Sequence, residues 1–409
     1  MPSAIAARPC APWWRSCSSL AESVVRLPGG LAAPPPLTLY IHIPWCVRKC
    51  PYCDFNSHAQ RGTLPEAAYV EALSRDLESA LPMIWGRPIE AVFFGGGTPS
   101  LFSPEAIDAI LTRVRTLTRL NPLAEITLEA NPGTFERERF QGYRAAGVNR
   151  LSLGIQSFND DHLRALGRIH SAVEATRAAE AALDLFGSVN LDLMYALPAQ
   201  DLAQAEADLR RAIALGPQHL SAYHLTLEPN TAFAANPPSL PDDEAAADMQ
   251  ERIEAMLVDA GYQHYETSAF AKPGSHCRHN LNYWLFGDYL GLGAGAHSKL
   301  SFHDKILRQA RVKHPEDYLR KAGTPEGVSE ERRLRRSDLP FEFMMNALRL
   351  IDGFDPRLYQ ERTGLPLSQV EAKLTAAEAR GLIEQGPERI RPTLAGQRFL
   401  NELLQSFLN

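Results

Sequence analysis

Six short runs of strand-forming residues alternate with helix-forming stretches from Leu37 onward, and this alternation limits the fold more than any other feature. The runs cover residues 37–43, 89–95, 125–130, 150–155, 188–195 and 219–227. Helix-like stretches follow the first five runs, which is the pattern of parallel βαβ units. The six runs occupy about 190 residues, whereas a closed eight-stranded barrel needs about 250. We therefore predict an α/β fold built on an incomplete (β/α)6 TIM-type barrel.

The pattern changes on either side of these runs, which predicts four segments. Residues 1–36 form an irregular leader, and residues 37–235 form the barrel. A proline-rich stretch then introduces residues 236–329, an extension of the barrel with a dense aromatic and glycine segment. Residues 330–409 contain amphipathic helical stretches separated by turns, which is typical of a winged-helix-like, α-rich module. No basic stripe accompanies these helices, so we expect no nucleic-acid partner.

Composition places the chain among ordinary globular proteins. It has 42 Lys and Arg residues against 48 Asp and Glu residues, a net charge of −6, which gives no electrostatic reason to expect a polyanionic partner. No apolar run approaches the roughly 20 residues of a membrane-spanning helix, and the N-terminus lacks the apolar core of a secretory signal. Six cysteines in 409 residues are too sparse for a disulfide framework. We therefore expect a cytoplasmic protein with reduced thiols.

Three of the six cysteines lie within eight residues, directly after the first strand run. Cys46, Cys50 and Cys53 are spaced so that their thiolates can converge on one inorganic centre. A structural zinc site would need a fourth ligand, for which His42 and His58 are candidates. A cubane iron–sulfur cluster is normally held by four cysteines, so three would leave one iron open to a substrate or cofactor. Both kinds of centre fit the spacing.

Polar or glycine residues also follow the other strand runs, where a parallel α/β fold places its active site. Glycines after the second run allow close backbone approach to a ligand, but a tight strand-to-helix turn would need them equally. Glu129 ends the third run and fits either a ribose ligand or a helix cap. The other candidates at this edge are Gln156, Arg168, Asp192 and Thr226.

The spacing Cys-x₃-Cys-x₂-Cys after a first strand resembles the radical S-adenosylmethionine (SAM) superfamily. The resemblance implies that Cys46, Cys50 and Cys53 bind a [4Fe-4S] cluster and that SAM occupies the fourth iron. It also implies SAM contacts for a set of residues matched by position. These are Tyr40, Tyr52, Gly96, Gly97, Thr98, Glu129, Gln156, Arg168, Asp192 and Thr226.

Within that superfamily, the sequence from Leu39 to His58 is similar to the group of oxygen-independent coproporphyrinogen III oxidases and haem chaperones, and the similarity covers roughly residues 37–409. The oxidases carry a further cysteine two residues after the third, where this chain has Phe55. The segment beginning at His279 resembles the His-Asn-x-x-Tyr-Trp motif of the haem chaperones. That resemblance implies haem binding by His279 and Tyr283, because imidazole ligates haem iron and aromatic rings flank the macrocycle.

The resemblance therefore favours a haem chaperone with three cofactors or ligands: a [4Fe-4S] cluster, SAM and haem. Its partner would be a haem-accepting protein, respiratory or membrane-associated. The alternative is an oxygen-independent coproporphyrinogen III oxidase, which would convert two propionate side chains to vinyl groups by a radical mechanism. A distant alternative is a zinc-stabilised regulator that uses the C-terminal module on nucleic acid.

Overall fold

The computed structural model of the protein describes residues 30–84, 86–133 and 136–408. Most of the predicted leader, residues 1–29, lies outside the described residues. Residues 30–36 run along the protein surface into the first strand, and Leu31 is buried with its N–H bonded to the carbonyl of His303.

One large twelve-stranded sheet forms the framework of the molecule. Its strands, numbered here in chain order, are β1 (Leu37–Ile43), β2 (Pro88–Gly96), β3 (Arg119–Ala130), β4 (Arg150–Gln156), β5 (Ser188–Tyr195), β6 (His219–His224), β7 (Gln263–Glu266), β8 (Ala269–Ala271), β9 (Asp288–Leu292), β10 (His297–Ser301), β11 (Ile306–Arg311) and β12 (Val328–Arg333). The order across the sheet is β12-β11-β10-β9-β1-β2-β3-β4-β5-β6-β8-β7. Two further two-stranded ladders pair Trp45–Cys46 with His58–Ala59 and Ile383–Gln385 with Ile390–Pro392.

The helices complete the βαβ units and the C-terminal module. They are α1 (Glu66–Ile84), α2 (Pro104–Leu117), α3 (Glu136–Ala146), α4 (Asp160–Ala165), α5 (Ala172–Leu185), α6 (Leu202–Leu215), α7 (Ala232–Ala235), α8 (Asp243–Asp259), α9 (Arg278–Trp284), α10 (Pro315–Lys321), α11 (Leu339–Ala347), α12 (Pro356–Thr363), α13 (Glu371–Ala379), α14 (Leu394–Arg398) and α15 (Leu400–Gln405). Their starts follow local chemistry: Ser103 Oγ accepts the N–H of Ala106, and Pro104 is the first residue of α2.

Strands β1 to β6 are parallel and adjacent in chain order, which confirms the predicted incomplete (β/α)6 barrel. Apolar side chains on one face of each strand, such as Leu39, Phe94 and Leu153, are fully buried in the main core. The opposite face carries the polar side chains of the site. This separation follows from the period of two along a strand, because alternate residues point to opposite faces.

The barrel extension continues the same sheet. β9 adds to β1 in parallel, and β10, β11 and β12 follow as an antiparallel meander. β12 runs to Arg333, so the predicted boundary between residues 329 and 330 falls inside this strand. The α-rich module beyond it has its own core around Phe343 and Phe354, and its short hairpin supplies the wing of the predicted winged-helix-like arrangement.

Candidate cluster and cofactor site

The three clustered cysteines lie on a loop that folds back against the end of β1. Cys46 pairs with Ala59 in a short parallel ladder, and the N–H of Cys53 donates to the carbonyl of Cys50 at 3.2 Å. All three thiols are free and partly buried. The loop therefore presents three unpaired sulfurs from one compact segment at the carboxyl end of the first barrel strand.

Each sulfur has a hydrogen-bond donor nearby. Thr98 Oγ1 donates to Cys46 Sγ at 3.5 Å, and Arg168 Nη1 donates to Cys50 Sγ at 3.6 Å. The Ser57 hydroxyl lies 3.9 Å from Cys53 Sγ. Burial raises the pKa values of Cys46 and Cys53, so these two thiols stay protonated when no metal is bound. Hydrogen-bond donors of this kind stabilise cysteine thiolates once a metal centre binds. The donor set fits an iron–sulfur cluster held by three cysteines.

A site for a single metal ion, such as zinc, would need a different arrangement of ligands from that of a cluster. Within the three described ranges, no three His, Cys, Asp or Glu side chains are grouped so as to hold one metal ion. Both ring nitrogens of His42, a candidate zinc ligand, have other partners: Nδ1 lies 3.0 Å from the Tyr40 hydroxyl and Nε2 lies 2.9 Å from the Asn56 carbonyl. His42 therefore serves as a link between β1 and the cysteine loop.

The glycine loop after β2 packs directly on the cysteine loop. A Cβ on Gly96, which has φ +116°, would lie 2.6 Å from the His42 ring. A Cβ on Gly97 would lie 2.5 Å from the carbonyl oxygen of Trp45, whose carbonyl accepts the N–H of Thr98. These positions must be glycine for the two loops to meet, whatever ligand the loops also contact.

Two carboxylates face the interior of the barrel. Burial raises the pKa of Glu129 to about 8, and the nearby carboxylate of Asp192 acts in the same direction. The pKa of Asp192 is also raised by burial, against hydrogen bonds from Asn190 Nδ2 at 2.8 Å and Ser152 Oγ at 3.0 Å. When ionised, both carboxylates accept hydrogen bonds, and hydroxyl groups of a ligand would satisfy them.

The remaining predicted SAM contacts lie beside the cysteine loop or at the ends of other barrel strands. Tyr52 and Arg168 lie beside Cys50, and the pKa of Arg168 is raised because the phenol of Tyr52 and the thiol of Cys50 outweigh its burial. Gln156 ends β4 with φ +68°, a left-handed conformation that glycine adopts more readily. Thr226 lies in the loop after β6, which ends two residues earlier at His224. It is exposed and donates to Glu228 Oε1 at 2.7 Å. The prediction extended this strand by three residues.

The segment that resembles a haem-binding motif forms helix α9. The N–H groups of Arg278 and His279 both donate to Glu125 at 3.2 Å, and Asn282 donates to Thr38, the second residue of β1, at 3.3 Å. Since the cysteines follow the last residue of β1, α9 lies at the opposite end of that strand. The cysteine loop and α9 are therefore at different ends of β1, although His279 of α9 also stacks on Tyr40 in the middle of that strand.

The imidazole of His279 is buried, with 3% of its surface exposed. It stacks on Phe93 with ring centroids 4.9 Å apart and on Tyr40 at 6.2 Å, and Tyr283 approaches edge-on at 5.0 Å. Burial, and secondarily the Arg150 guanidinium, lowers the pKa of His279 to about 3. The ring is therefore neutral, and its buried Nδ1 has no hydrogen-bond partner among the described residues.

The structure adds one contact residue that the sequence alone did not identify. Asn131 follows β3 and donates through Nδ2 to Thr98 Oγ1 at 2.9 Å, while its Oδ1 accepts from Arg168 Nη2 at 2.5 Å. It therefore connects the donors of Cys46 and Cys50. Its position at a strand end was visible in the sequence, but its two partners come from other barrel units.

None of the helices in the described ranges combines the length and the apolar composition needed to cross a lipid bilayer.

Comparison with known proteins places this site in a family. The radical SAM superfamily model matches residues 40–212, and the HemN C-terminal domain model matches residues 334–399. The heme chaperone HemW of Haemophilus influenzae is 50% identical over 380 residues, which cover 91% of this chain and 98% of that protein. HemW of Escherichia coli K12 is 49% identical over 376 residues, again 91% and 98%.

The solved structure of the E. coli coproporphyrinogen III oxidase HemN, a radical SAM enzyme, has a TM-score of 0.78 at 26% identity and covers 94% of this chain and 91% of its own. The bovine mitochondrial radical S-adenosyl methionine domain-containing protein 1 is 35% identical over 400 residues, which cover 93% of this chain and 90% of that protein. The superfamily implies a [4Fe-4S] cluster and SAM, and the cysteine loop fits them. By end-to-end similarity at about half identity, the chain belongs to the HemW family of the radical SAM superfamily.

Proposed function

We propose that this protein is a cytoplasmic haem chaperone, which binds haem and passes it to an acceptor protein. The observation that carries the proposal is the 50% identity to a heme chaperone HemW across 98% of that protein's length. The acceptor would be a haem protein, respiratory or membrane-associated. In this proposal residues 37–235 bind the cluster and SAM, residues 236–329 carry the haem-binding segment, and residues 330–409 cover one side of it.

The residue at position 55 supports a chaperone over an oxidase. The side chain of Phe55 is 60% exposed on the cysteine loop, so it has no packing role that would exclude a cysteine there. Its N-terminal neighbour Asp54 is also exposed. The loop therefore exposes an apolar side chain, next to an acidic one, at the place where the oxidases have a fourth cysteine.

The site proposed for haem combines His279 and Tyr283. A neutral imidazole is the form that ligates iron, and the low pKa keeps His279 in this form. The Tyr283 ring stacks on Tyr289 with centroids 4.1 Å apart, and the Arg349 guanidinium of the C-terminal module lies 5.1 Å from the Trp284 ring. Because His279 is buried, haem ligation on this proposal requires α9 to move away from β1 and β2.

The test is a haem titration of the anaerobically reconstituted protein, followed by absorbance in the Soret region. We expect His279→Ala to weaken haem binding by at least tenfold. His276→Ala is the matched control, because His276 lies three residues earlier and stacks on Tyr265 instead, with centroids 4.3 Å apart. Equal haem affinity in wild type and His279→Ala would contradict the assignment of this ligand.

A second assay tests the alternative function, a coproporphyrinogen III oxidase, for which the structural match to HemN is the supporting observation. The reconstituted protein is incubated with coproporphyrinogen III, SAM and a reductant, and the products are separated by chromatography. We expect no protoporphyrinogen IX, and we expect transfer of bound haem to an apo-haem protein. Efficient decarboxylation without haem transfer would overturn the chaperone proposal.

A further inference from the structure

We propose that Asn131 is a positioning residue that sets the reduction potential of the cluster by fixing the hydrogen bond from Thr98 to Cys46. The proposal rests on the cluster that the superfamily implies, and it is independent of haem transfer. Thr98 is buried, and Asn131 is partly buried between Thr98 and Arg168. The donor and acceptor atoms of these three side chains determine which way each hydrogen bond points.

Arg168 determines the direction of each hydrogen bond in the series that runs from Arg168 through Asn131 to Thr98. A guanidinium has only donors, so Asn131 must present its carbonyl oxygen Oδ1 to Arg168 Nη2, at 2.5 Å. The amide nitrogen Nδ2 then faces Thr98 and donates to its Oγ1 at 2.9 Å. With its oxygen accepting from Asn131, the Thr98 hydroxyl directs its single proton to Cys46 Sγ, at 3.5 Å.

Arg168 is itself held in place by further contacts. Its Nη2 also donates to the carbonyl of Gly154 at 2.8 Å, and its Nη1 donates to Cys50 Sγ at 3.6 Å. The chain therefore runs from one cysteine to another through Arg168, Asn131 and Thr98. The side-chain amide of Asn131 thus connects the hydrogen-bond donors of two of the three cysteine sulfurs.

Hydrogen bonds to the sulfurs of an iron–sulfur cluster stabilise its reduced, more negative state and raise its reduction potential. Replacing Asn131 by Asp puts a second acceptor opposite the Thr98 hydroxyl, whose proton then turns from Cys46 to the new carboxylate. Arg168 keeps an acceptor of the same shape. Asn131→Asp should therefore lower the potential, and a tenfold loss of stabilisation in a one-electron couple corresponds to 59 mV.

The experiment is a reductive titration of anaerobically reconstituted protein, with the midpoint potential read by electron paramagnetic resonance and absorbance. Iron per chain and the urea unfolding midpoint are measured on the same samples. Asn159→Asp is the control, because Asn159 caps α4 through Asp161 N–H at 2.8 Å and Asp caps equally well. It adds the same charge at a helix start instead of among the cysteine donors.

A second pair of variants tests the same series of hydrogen bonds without changing Asn131. Thr98→Val removes the hydroxyl and should lower the potential, whereas Thr98→Ser keeps it and should restore the wild-type value. In the Thr98→Val background, Asn131→Asp should lower the potential by less than it does in the wild type, because only its charge is left to act. The proposal is overturned if Asn131→Asp loads full iron at the potential of Asn159→Asp. It is equally overturned if Thr98→Val and Thr98→Ser have the same potential.

Discussion

Gly154→Ala should weaken SAM binding, because a methyl group at this position in β4 would displace the ends of the side chains beside it. Its Cβ would lie 2.7 Å from Asn131 Oδ1, 3.0 Å from Gln156 Nε2 and 3.3 Å from Arg168 Nη2. Two of these three neighbours are predicted SAM contacts, and the third holds Arg168. The backbone of Gly154 does not have a positive φ, so the substitution tests space alone.

The magnitude follows from the cost of overpacking. Forcing a methyl group into a well-packed site costs about 1–3 kcal/mol. If the site relieves the clash by displacing Arg168 and Gln156, that energy is lost from SAM binding, which corresponds to a fall in affinity of about 5- to 150-fold. Displacement of Arg168 also removes its donor from Cys50, 3.6 Å away in the wild type.

The assay is calorimetric titration of the anaerobically reconstituted protein with SAM, with urea unfolding of the same preparations. Gly187→Ala is the matched control, because Gly187 is exposed, does not have a positive φ, and would place a methyl group with no neighbouring atom within 4 Å. We expect Gly187→Ala to bind SAM like the wild type. Unchanged SAM affinity and stability in Gly154→Ala would refute the reasoning about this contact.

Three other predictions test the site and its support. SAM affinity should rise as the pH increases through about 8, the pKa of Glu129, because the ionised carboxylate accepts hydrogen bonds from the ribose hydroxyls. In Glu129→Gln, the SAM affinity should stay constant from pH 6.5 to 8.5. Lys299→Met should cost about 1.5–3 kcal/mol in urea unfolding, because it removes one charged hydrogen bond from the fully buried carboxylate of Asp288, which keeps Arg87 at 2.9 Å. A loss below about 1 kcal/mol would contradict this. Asn56→Ala should release iron to a chelator faster than the wild type does. The substitution removes two 2.9 Å hydrogen bonds that join the cysteine loop to the barrel extension. Equal rates of iron release would show that these bonds do not hold the loop.

Strand order and direction could be predicted from the sequence because buried parallel strands have continuous apolar runs separated by helices. The predicted bounds of β5 agree with the observed ones, Ser188–Tyr195. β3 begins at Arg119, six residues before the predicted start, because its first part pairs with Pro88 and Ile89 across a register shift. Asn121 and Pro122 in this part are typical of turns, so local propensity pointed away from a strand that cross-strand pairing stabilises.

The candidate site was predictable where its residues are close in sequence. Cys46, Cys50 and Cys53 could be recognised together because they lie on one loop. Asn131 could not be given a role in the same way, because its partners Thr98 and Arg168 are 33 and 37 residues away. Its environment in the chain, just before a proline, is equally typical of a turn. Only the parallel pairing of β2, β3 and β4 brings these strand ends together and lets the Asn131 amide connect the hydrogen-bond donors of Cys46 and Cys50.

The packing of α9 against β1 joins the two parts of the proposed function. His279 is 239 residues after Tyr40 in the sequence, yet their rings stack with centroids 6.2 Å apart. The Tyr40 hydroxyl lies 3.0 Å from His42 Nδ1, and His42 Nε2 lies 2.9 Å from the carbonyl of Asn56 on the cysteine loop. Because a closely packed interior transmits strain, we expect a ligand that displaces Tyr40 to shift His279 as well. A chain of three contacts therefore connects the cysteine loop to the residue proposed to bind haem iron.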